Sequence, residues 1–157
     1  MSDPPRATQR PQARPFRTLL AEHQGQAYEE YDDGRGKVRL WHLGNRIGVF
    51  ESSGSIGQAH ADLIIRFHGR HIERFPRPWF AFGNWMALRG YTPDVRRALT
   101  EWQRDAKYDE VHVAHDSRLL AMSVSLANGV LDNQVQVVTN EEALDDLLVA
   151  LRQRVGV

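Results

Sequence analysis

The sequence has no cysteine among its 157 residues. This absence excludes disulfide bonds, thiolate nucleophiles and zinc sites with cysteine ligands. The chain also has no excess charge of either sign, because 20 Lys and Arg residues balance 20 Asp and Glu residues. It therefore offers no overall attraction to nucleic acid or to an anionic membrane. No apolar run approaches the roughly 20 residues that a membrane-spanning helix needs. The composition that remains is typical of a soluble cytoplasmic protein.

The N-terminal segment has little apolar surface to bury. It is rich in proline and arginine, with Arg6, Arg10 and Arg14 among its basic residues. Such a composition cannot offset the entropy lost on ordering. We predict a disordered basic tail over residues 1–22, followed by a single domain over residues 23–157. The tail shows no secretory signal, and its role is not indicated by its sequence.

The order of the elements after residue 36 predicts the fold class. Residues 37–42 alternate between apolar and polar side chains, which indicates a half-buried strand. Gly44-Asn45 is typical of a tight hairpin turn into a second strand. Helices and strands then alternate to the end of the chain. We expect a mixed α/β fold: a mostly parallel sheet with an N-terminal antiparallel hairpin and four helices on its two faces.

Local signals place two boundaries within this order. Ser53-Gly54-Ser55 is expected to break the second strand, with Ser55 as the N-cap of a first helix up to about Arg74. Residues 79–82 form a continuous apolar run, which is typical of a central strand buried on both faces. Thr92-Pro93 has the chemistry of an N-cap and a first helical position, and it predicts the start of the second helix.

Residues 83–92 are predicted to form the loop between the central strand and the second helix. Loops are usually polar because they are solvated, yet this one contains large apolar residues. Aromatic residues and Met are enriched in binding surfaces. The candidate partner-binding residues are therefore Trp85, Met86, Leu88, Tyr91 and Thr92. The alternative is that Trp85 and Leu88 fold back into the core.

The first helix has apolar residues on two sides. One face is expected to pack on the sheet, while Ile65 and Ile72 lie nearly opposite. An apolar face without a covering element can bind a partner. Ile65 and Ile72 are therefore candidates for self-association in a homodimer.

No motif for catalysis is present. The serines before the first helix lack the Gly-x-Ser-x-Gly pattern of a nucleophile elbow, and no Lys-Ser/Thr follows as in a phosphate loop. His68 and His71 lie one helical turn apart, but no third metal ligand is identifiable. We expect no enzyme activity, no catalytic residue, no cofactor and no metal site.

The segment from Lys37 to Val155 resembles the STAS-like domains, the fold of the bacterial anti-sigma-factor antagonists. The resemblance rests on the element order, on the stretch from Pro78 through Trp85 to Leu88, which resembles a Pro-Trp central strand and the loop after it, and on the Thr-Pro helix start. It is nearest to divergent bacterial STAS-like proteins with these two features. Antagonists that act as phospho-switches carry Asp-Ser-Ser-Gly at the start of the second helix. Here Tyr91-Thr92-Pro93-Asp94 stands there, so the phosphorylatable serine is replaced by Pro93.

The resemblance implies a non-enzymatic regulatory or adaptor module that binds a protein partner without a serine phospho-switch. From the balanced charge and the lack of a long apolar run, we expect neither a nucleic-acid nor a membrane partner. The alternative is a carrier of a small apolar ligand in a pocket between helices and sheet, with His60, His71 or His115 as its polar groups.

Overall fold

The computed structural model describes residues 28–131 and 135–156. The predicted tail over residues 1–22 and the predicted domain boundary at residue 23 lie outside the described residues.

Six strands form one sheet in chain order. The first three strands pair antiparallel, and the last four pair parallel, with β3 belonging to both sets. The extra first strand adds an edge to the predicted hairpin. The strands are β1 (Glu29–Asp32), β2 (Gly36–Leu43), β3 (Ile47–Ile56), β4 (Phe80–Tyr91), β5 (Glu110–Ala114) and β6 (Val135–Val138).

Helices cover both faces of the sheet unequally. The first three pack side by side on one face, and the fourth packs on β4, β5 and β6 from the other. This arrangement confirms the predicted fold class. The helices are α1 (Gln58–Arg74), α2 (Pro93–Ala106), α3 (Arg118–Leu131) and α4 (Glu141–Val155).

The start of α1 differs from the prediction. β3 does not break at Ser53-Gly54-Ser55, because Gly54 still pairs with Gly36 of β2 and Ile56 pairs with Tyr91 of β4. Gly57, rather than Ser55, is the N-cap, and its N–H donates to Nδ1 of His60 at 3.0 Å. The histidine ring thus takes the role that Glu or Gln at the third helical position has in a capping box, where its side chain accepts from the N-cap N–H.

The predicted start of α2 is confirmed. Thr92 is the N-cap, and its hydroxyl oxygen accepts from the N–H of Val95 at 3.4 Å. Pro93 occupies the first turn, where its missing N–H costs no helical hydrogen bond. Asn140 caps α4 in the same way, with its side-chain oxygen accepting from Ala143 N–H at 2.7 Å.

The prediction of a loop over residues 83–92 is wrong. The central strand continues to Tyr91 and stays paired with β3. The pairing contains two irregularities, and at each of them β4 has one residue more than β3. The first lies between the pairs Glu51–Asn84 and Ser53–Ala87, and the second lies just after Gly54. Each extra residue is a β-bulge, which reverses the side-chain alternation. The segment therefore has no clean period-two pattern, although it is a strand.

Candidate functional site

A cavity of about 80 Å³ lies under the three-helix face of the sheet. Its floor comes from β3, β4 and β5, and its walls come from α1, α2 and α3. Apolar side chains make up most of its surface, including Ile64, Leu99, Val111, Val113 and Val124. The cavity therefore lies inside the larger of the two core clusters, where three helices meet the sheet.

Aromatic rings surround the cavity on several sides. Phe50 and Trp85 meet edge to face with ring centres 6.0 Å apart, and Trp85 contacts Tyr91 at the same separation. Trp102 and Tyr108 form a second edge-to-face pair at 5.5 Å. All five residues line the cavity. Rigid rings on several sides resist collapse and keep the space open.

Three polar atoms in the lining lack a hydrogen-bond partner. They are Nε2 of His68, Nε1 of Trp85 and Nε2 of Gln103, and each is inaccessible to solvent. Buried polar groups in proteins are almost always hydrogen-bonded, and leaving one unpaired costs about 1–3 kcal/mol. Three such groups around one apolar cavity therefore offer hydrogen bonds to water or to a bound molecule with polar atoms.

His68 is the most deeply buried of the three residues that carry these unpaired atoms. It is only 2% exposed, and its ring contacts the rings of Phe50, Trp102 and Tyr108. Burial, followed by the positive charge that His71 would carry, lowers the pKa of His68 to about 3. Its imidazole is therefore neutral near pH 7 and offers one donor and one acceptor.

A stack of rings adjoins the site behind His68. The imidazole of His42 lies 3.7 Å from that of His71 and 4.3 Å from the ring of Phe67, nearly parallel to both. Burial lowers the pKa of His42 to about 3 and also lowers the pKa of His71. His71 donates from Nε2 to the carbonyl oxygen of Asn45 at 2.7 Å. The cluster is therefore uncharged near neutral pH.

The structure separates the five predicted partner-binding residues. Trp85 and Tyr91 are half-buried and line the cavity. Leu88 is 5% exposed and belongs to the core, in agreement with the alternative that it folds back into the core. Met86 points to the opposite face and packs against the core under α4. Thr92 alone is exposed, and its hydroxyl is used as a cap.

The two self-association candidates on α1 are both half-buried. Ile72 packs against the main core cluster. Helix α2 packs beside α1 and covers part of the face predicted to be open, where Ala61 and His68 are buried. Self-association through Ile65 and Ile72 stays a prediction.

The three histidines proposed as polar groups of a pocket lie elsewhere. His60 is used by the backbone, accepting from Gly57 and donating from Nε2 to the Gly36 carbonyl oxygen at 2.8 Å. His71 is bonded to Asn45. His115 does not line the cavity, although both its ring nitrogens are buried without a partner. The sequence analysis missed Gln103 and Arg96, whose only signal is their place on the inner side of α2.

A second concavity of about 360 Å³ lies on the α4 side of the sheet. Its side chains are polar and largely engaged with one another or with neighbours. Asn84 donates to Glu141 at 3.0 Å, Arg39 donates to Glu30 at 2.6 Å, and Lys37 lies 3.4 Å from Asp32. With cations and carboxylates mixed and paired, this groove shows no preference for one ligand chemistry.

Two kinds of site are absent from the described part of the chain. No group of three or more His, Asp or Glu side chains there is arranged to hold a metal ion. Among residues 28–131 and 135–156, no helix is long and apolar enough to cross a membrane.

Comparison with known proteins relates the chain to others through structure. No family model and no curated protein matches it. One similar solved structure is an uncharacterized protein of the DUF3478 family from Shewanella loihica PV-4, which has a SpoIIAA-like fold. It superposes with a TM-score of 0.54 at 9% identity, over 78% of this chain and 94% of that one. Another is the unphosphorylated anti-sigma factor antagonist SpoIIAA, with a TM-score of 0.47 at 12% identity, over 77% of this chain and 96% of that one.

The fold of this chain is therefore SpoIIAA-like. The Shewanella structure carries this conclusion, and it confirms the predicted STAS-like architecture. At such low identity the likeness concerns the fold alone, and the function has to be argued from the site.

Proposed function

We propose that this protein is a non-enzymatic binding module that holds a small, largely apolar ligand in the cavity between the sheet and helices α1, α2 and α3. The observation that carries the proposal is the set of three unpaired polar atoms, on His68, Trp85 and Gln103, in an otherwise apolar lining. Ligand sites are typically apolar with a few polar groups that fix orientation. The combination matches the second of the two functions expected from the sequence.

The lining favours binding over catalysis. Its titratable residues are buried in ways that suppress ionisation: His68 is held neutral, and burial raises the pKa of Tyr108 well above its usual value. A general acid or base works best with a pKa near the working pH. These groups are therefore suited to donating and accepting hydrogen bonds to a bound molecule.

The experiment is native mass spectrometry on the full chain purified from its own host, followed by denaturation and identification of any small molecule released. We expect a stoichiometric small-molecule adduct that Leu99→Trp, which fills the cavity, eliminates. Leu147→Trp on α4 is the matched control, because this half-buried position packs against the other core cluster. A protein that carries no adduct, and whose NMR spectrum does not change when xenon is added, contradicts the proposal.

A second candidate function is a cytoplasmic regulatory or adaptor module that binds a protein partner. The observation that favours it is a pair of exposed apolar side chains one turn apart on α3, Met122 at 66% and Leu126 at 62% exposure. Exposed apolar patches mark interaction surfaces. Affinity capture from the host should retain a polypeptide with the native chain and lose it with Met122→Asp/Leu126→Asp. Capture that is unchanged in the double variant removes α3 as the contact surface.

This second candidate needs no serine phospho-switch. The hydroxyl of Thr92 is engaged with the backbone of α2, and Pro93 follows it. Phosphopeptide mapping of protein from growing cells should find no stoichiometric phosphate at Thr92. Phosphate there that alters capture of the partner contradicts this part of the proposal.

A further inference from the structure

The unpaired groups of the cavity determine whether the ligand must donate or accept hydrogen bonds. Nε1 of Trp85 can only donate a hydrogen bond, and the amide nitrogen of Gln103 is also a donor. His68 is neutral and can donate from Nε2 as well. A ligand that satisfies all three presents acceptor atoms. A ligand whose polar group only donates leaves Trp85 unpaired.

The charge of the lining is of one sign. Arg96 is the only permanently charged residue among the described residues that line the cavity, and no Asp or Glu is found in that lining. Arg96 is half-buried and forms no ion pair within the described chain. Its neighbour Arg97 is exposed and paired with Asp94 at 2.8 Å. An arginine beside a cavity whose unpaired groups are hydrogen-bond donors favours a ligand with a negatively charged group. A guanidinium can bind a carboxylate through two parallel hydrogen bonds.

The volume limits the ligand to a short molecule. A cavity of about 150 Å³ in another protein holds benzene, and this one is near 80 Å³, so it encloses only a group smaller than benzene, such as the branch of a short acid whose polar end lies at the half-buried Arg96. A compact branched group fills such a space better than a long chain, because the walls are aliphatic and aromatic side chains on several sides.

We propose that the cavity takes a short, branched monocarboxylate, with its carboxylate towards Arg96, Trp85 and Gln103 and its branch against Ile64, Val111 and Val113. This inference rests on the proposed ligand-binding function and deepens it. A carboxylate is acceptor-only and offers about four lone-pair directions, so it satisfies the donors and the charge with one group. A protonated amine finds no Asp or Glu in the lining with which to form an ion pair. An amide is uncharged and cannot form an ion pair with Arg96.

The test compares three probes of nearly the same shape: isobutyrate, isobutyramide and isobutylamine. Each is titrated into the full chain at pH 7 and followed by ¹H–¹⁵N NMR, including the indole resonance of Trp85. We expect isobutyrate to bind at least about tenfold more tightly than isobutyramide, as loss of an ion pair with Arg96 implies, and isobutylamine not to bind. The Trp85 indole signal should shift with isobutyrate.

Two variants separate recognition from packing. Arg96→Gln should weaken isobutyrate at least about tenfold and leave isobutyramide unchanged, whereas Arg97→Gln, the matched control on the same helix, should change neither. Trp85→Phe keeps an aromatic ring and removes the donor, so it should weaken both probes. These outcomes support a carboxylate site.

Other outcomes overturn the inference. Equal binding of acid and amide, or equal effects of Arg96→Gln and Arg97→Gln, contradicts the carboxylate while leaving small-ligand binding in place. Binding of the amine in preference to the acid contradicts it as well. Failure of all three probes, together with NMR spectra unchanged by xenon and no adduct in native mass spectrometry, defeats the proposed function itself.

Discussion

At the scale of single residues, histidines carry out different tasks that their sequence context does not reveal. His60 caps a helix and joins it to β2, whereas His68 lines the cavity with an unpaired nitrogen. Both lie on α1, and a helical wheel can place them on a face but cannot show which backbone groups lie opposite. The sequence therefore indicated that histidine was unusual here, while its roles depend on contacts with other elements.

Asp145 is a second residue whose environment is not visible in the sequence. It is 4% exposed on α4, and both carboxylate oxygens lack a hydrogen-bond partner. Burial, followed by the nearby charges of Glu141 and Asp146, raises the pKa of Asp145 to about 7. Above that pH the folded protein holds an unpaired buried charge, which lowers its stability.

Asp145→Asn should therefore stabilise the protein at alkaline pH. The substitution keeps the side chain's shape and removes the charge, so we expect the free energy of unfolding at pH 8 to rise by roughly 1–3 kcal/mol. Near pH 5 the carboxyl is already protonated, and the gain should be small. Urea denaturation at both pH values measures this. Asp146→Asn, at the exposed neighbouring position, removes only the last of the three causes that raise this pKa, so its gain should be much smaller; equal gains from both variants would contradict the argument.

At the scale of elements, the sequence predicted the order of strands and helices but not their irregular parts. Regular alternation over residues 37–42 identified β2, and capping chemistry at Thr92 located the start of α2. The second half of β4 was mistaken for a loop because two bulges reverse its alternation. Bulges are maintained by pairing with the neighbouring strand, which a pattern along one segment does not contain.

The packing of α1 on β3 gives a prediction at this scale. Gly48 lies against His68, and a Cβ at Gly48 would overlap the imidazole ring. Gly48→Ala should push the helix from the sheet or force His68 off its rotamer, which costs about 1–3 kcal/mol of stability. Thermal or urea denaturation measures the loss.

A Gly→Ala substitution on helix α1, which carries His68, serves as the control for Gly48→Ala. Gly69 lies inside α1, and a Cβ there would meet no atom within 4 Å. Gly69→Ala should raise stability by roughly 0.5–1 kcal/mol, because alanine favours a helix interior over glycine. Stabilisation by both substitutions would show that the space at Gly48 is not filled by His68.

At the scale of the whole molecule, the site exists only after the chain has folded. Its lining comes from seven elements and the segment before β5, and its unpaired atoms are on α1, β4 and α2. The sequence predicted a pocket between helices and sheet as one alternative, and it placed Trp85 and Tyr91 in a functional region. It assigned them to a surface because the same aromatic residues suit an exposed contact or an internal wall, and only the tertiary arrangement distinguishes the two.

The buried titratable groups make the free energy of unfolding depend on pH, and the histidines act in the opposite direction to Asp145. The pKa values of His42 and His68 are about 3 in the folded protein, and that of His71 is also lowered. In the unfolded chain these histidines titrate near 6.5, so below that pH the unfolded state binds more protons and stability falls. Asp145 acts the other way: its folded pKa near 7 exceeds the unfolded value, so its contribution improves as the pH falls from 7 towards 4.

The histidines outnumber the aspartate, so stability should be greatest near pH 6.5–7 and should fall on acidification. Each group changes the free energy of unfolding by about 1.4 kcal/mol per pH unit in its range, and the difference is a net loss on the order of 1–2 kcal/mol per unit between about pH 6 and 4.5. Urea denaturation across this range measures the slope. Because Asp145→Asn removes the opposing contribution, that variant should lose stability more steeply than the native chain. A native slope near zero, or a variant slope no steeper than the native one, would show that the histidine cluster accepts protons without unfolding.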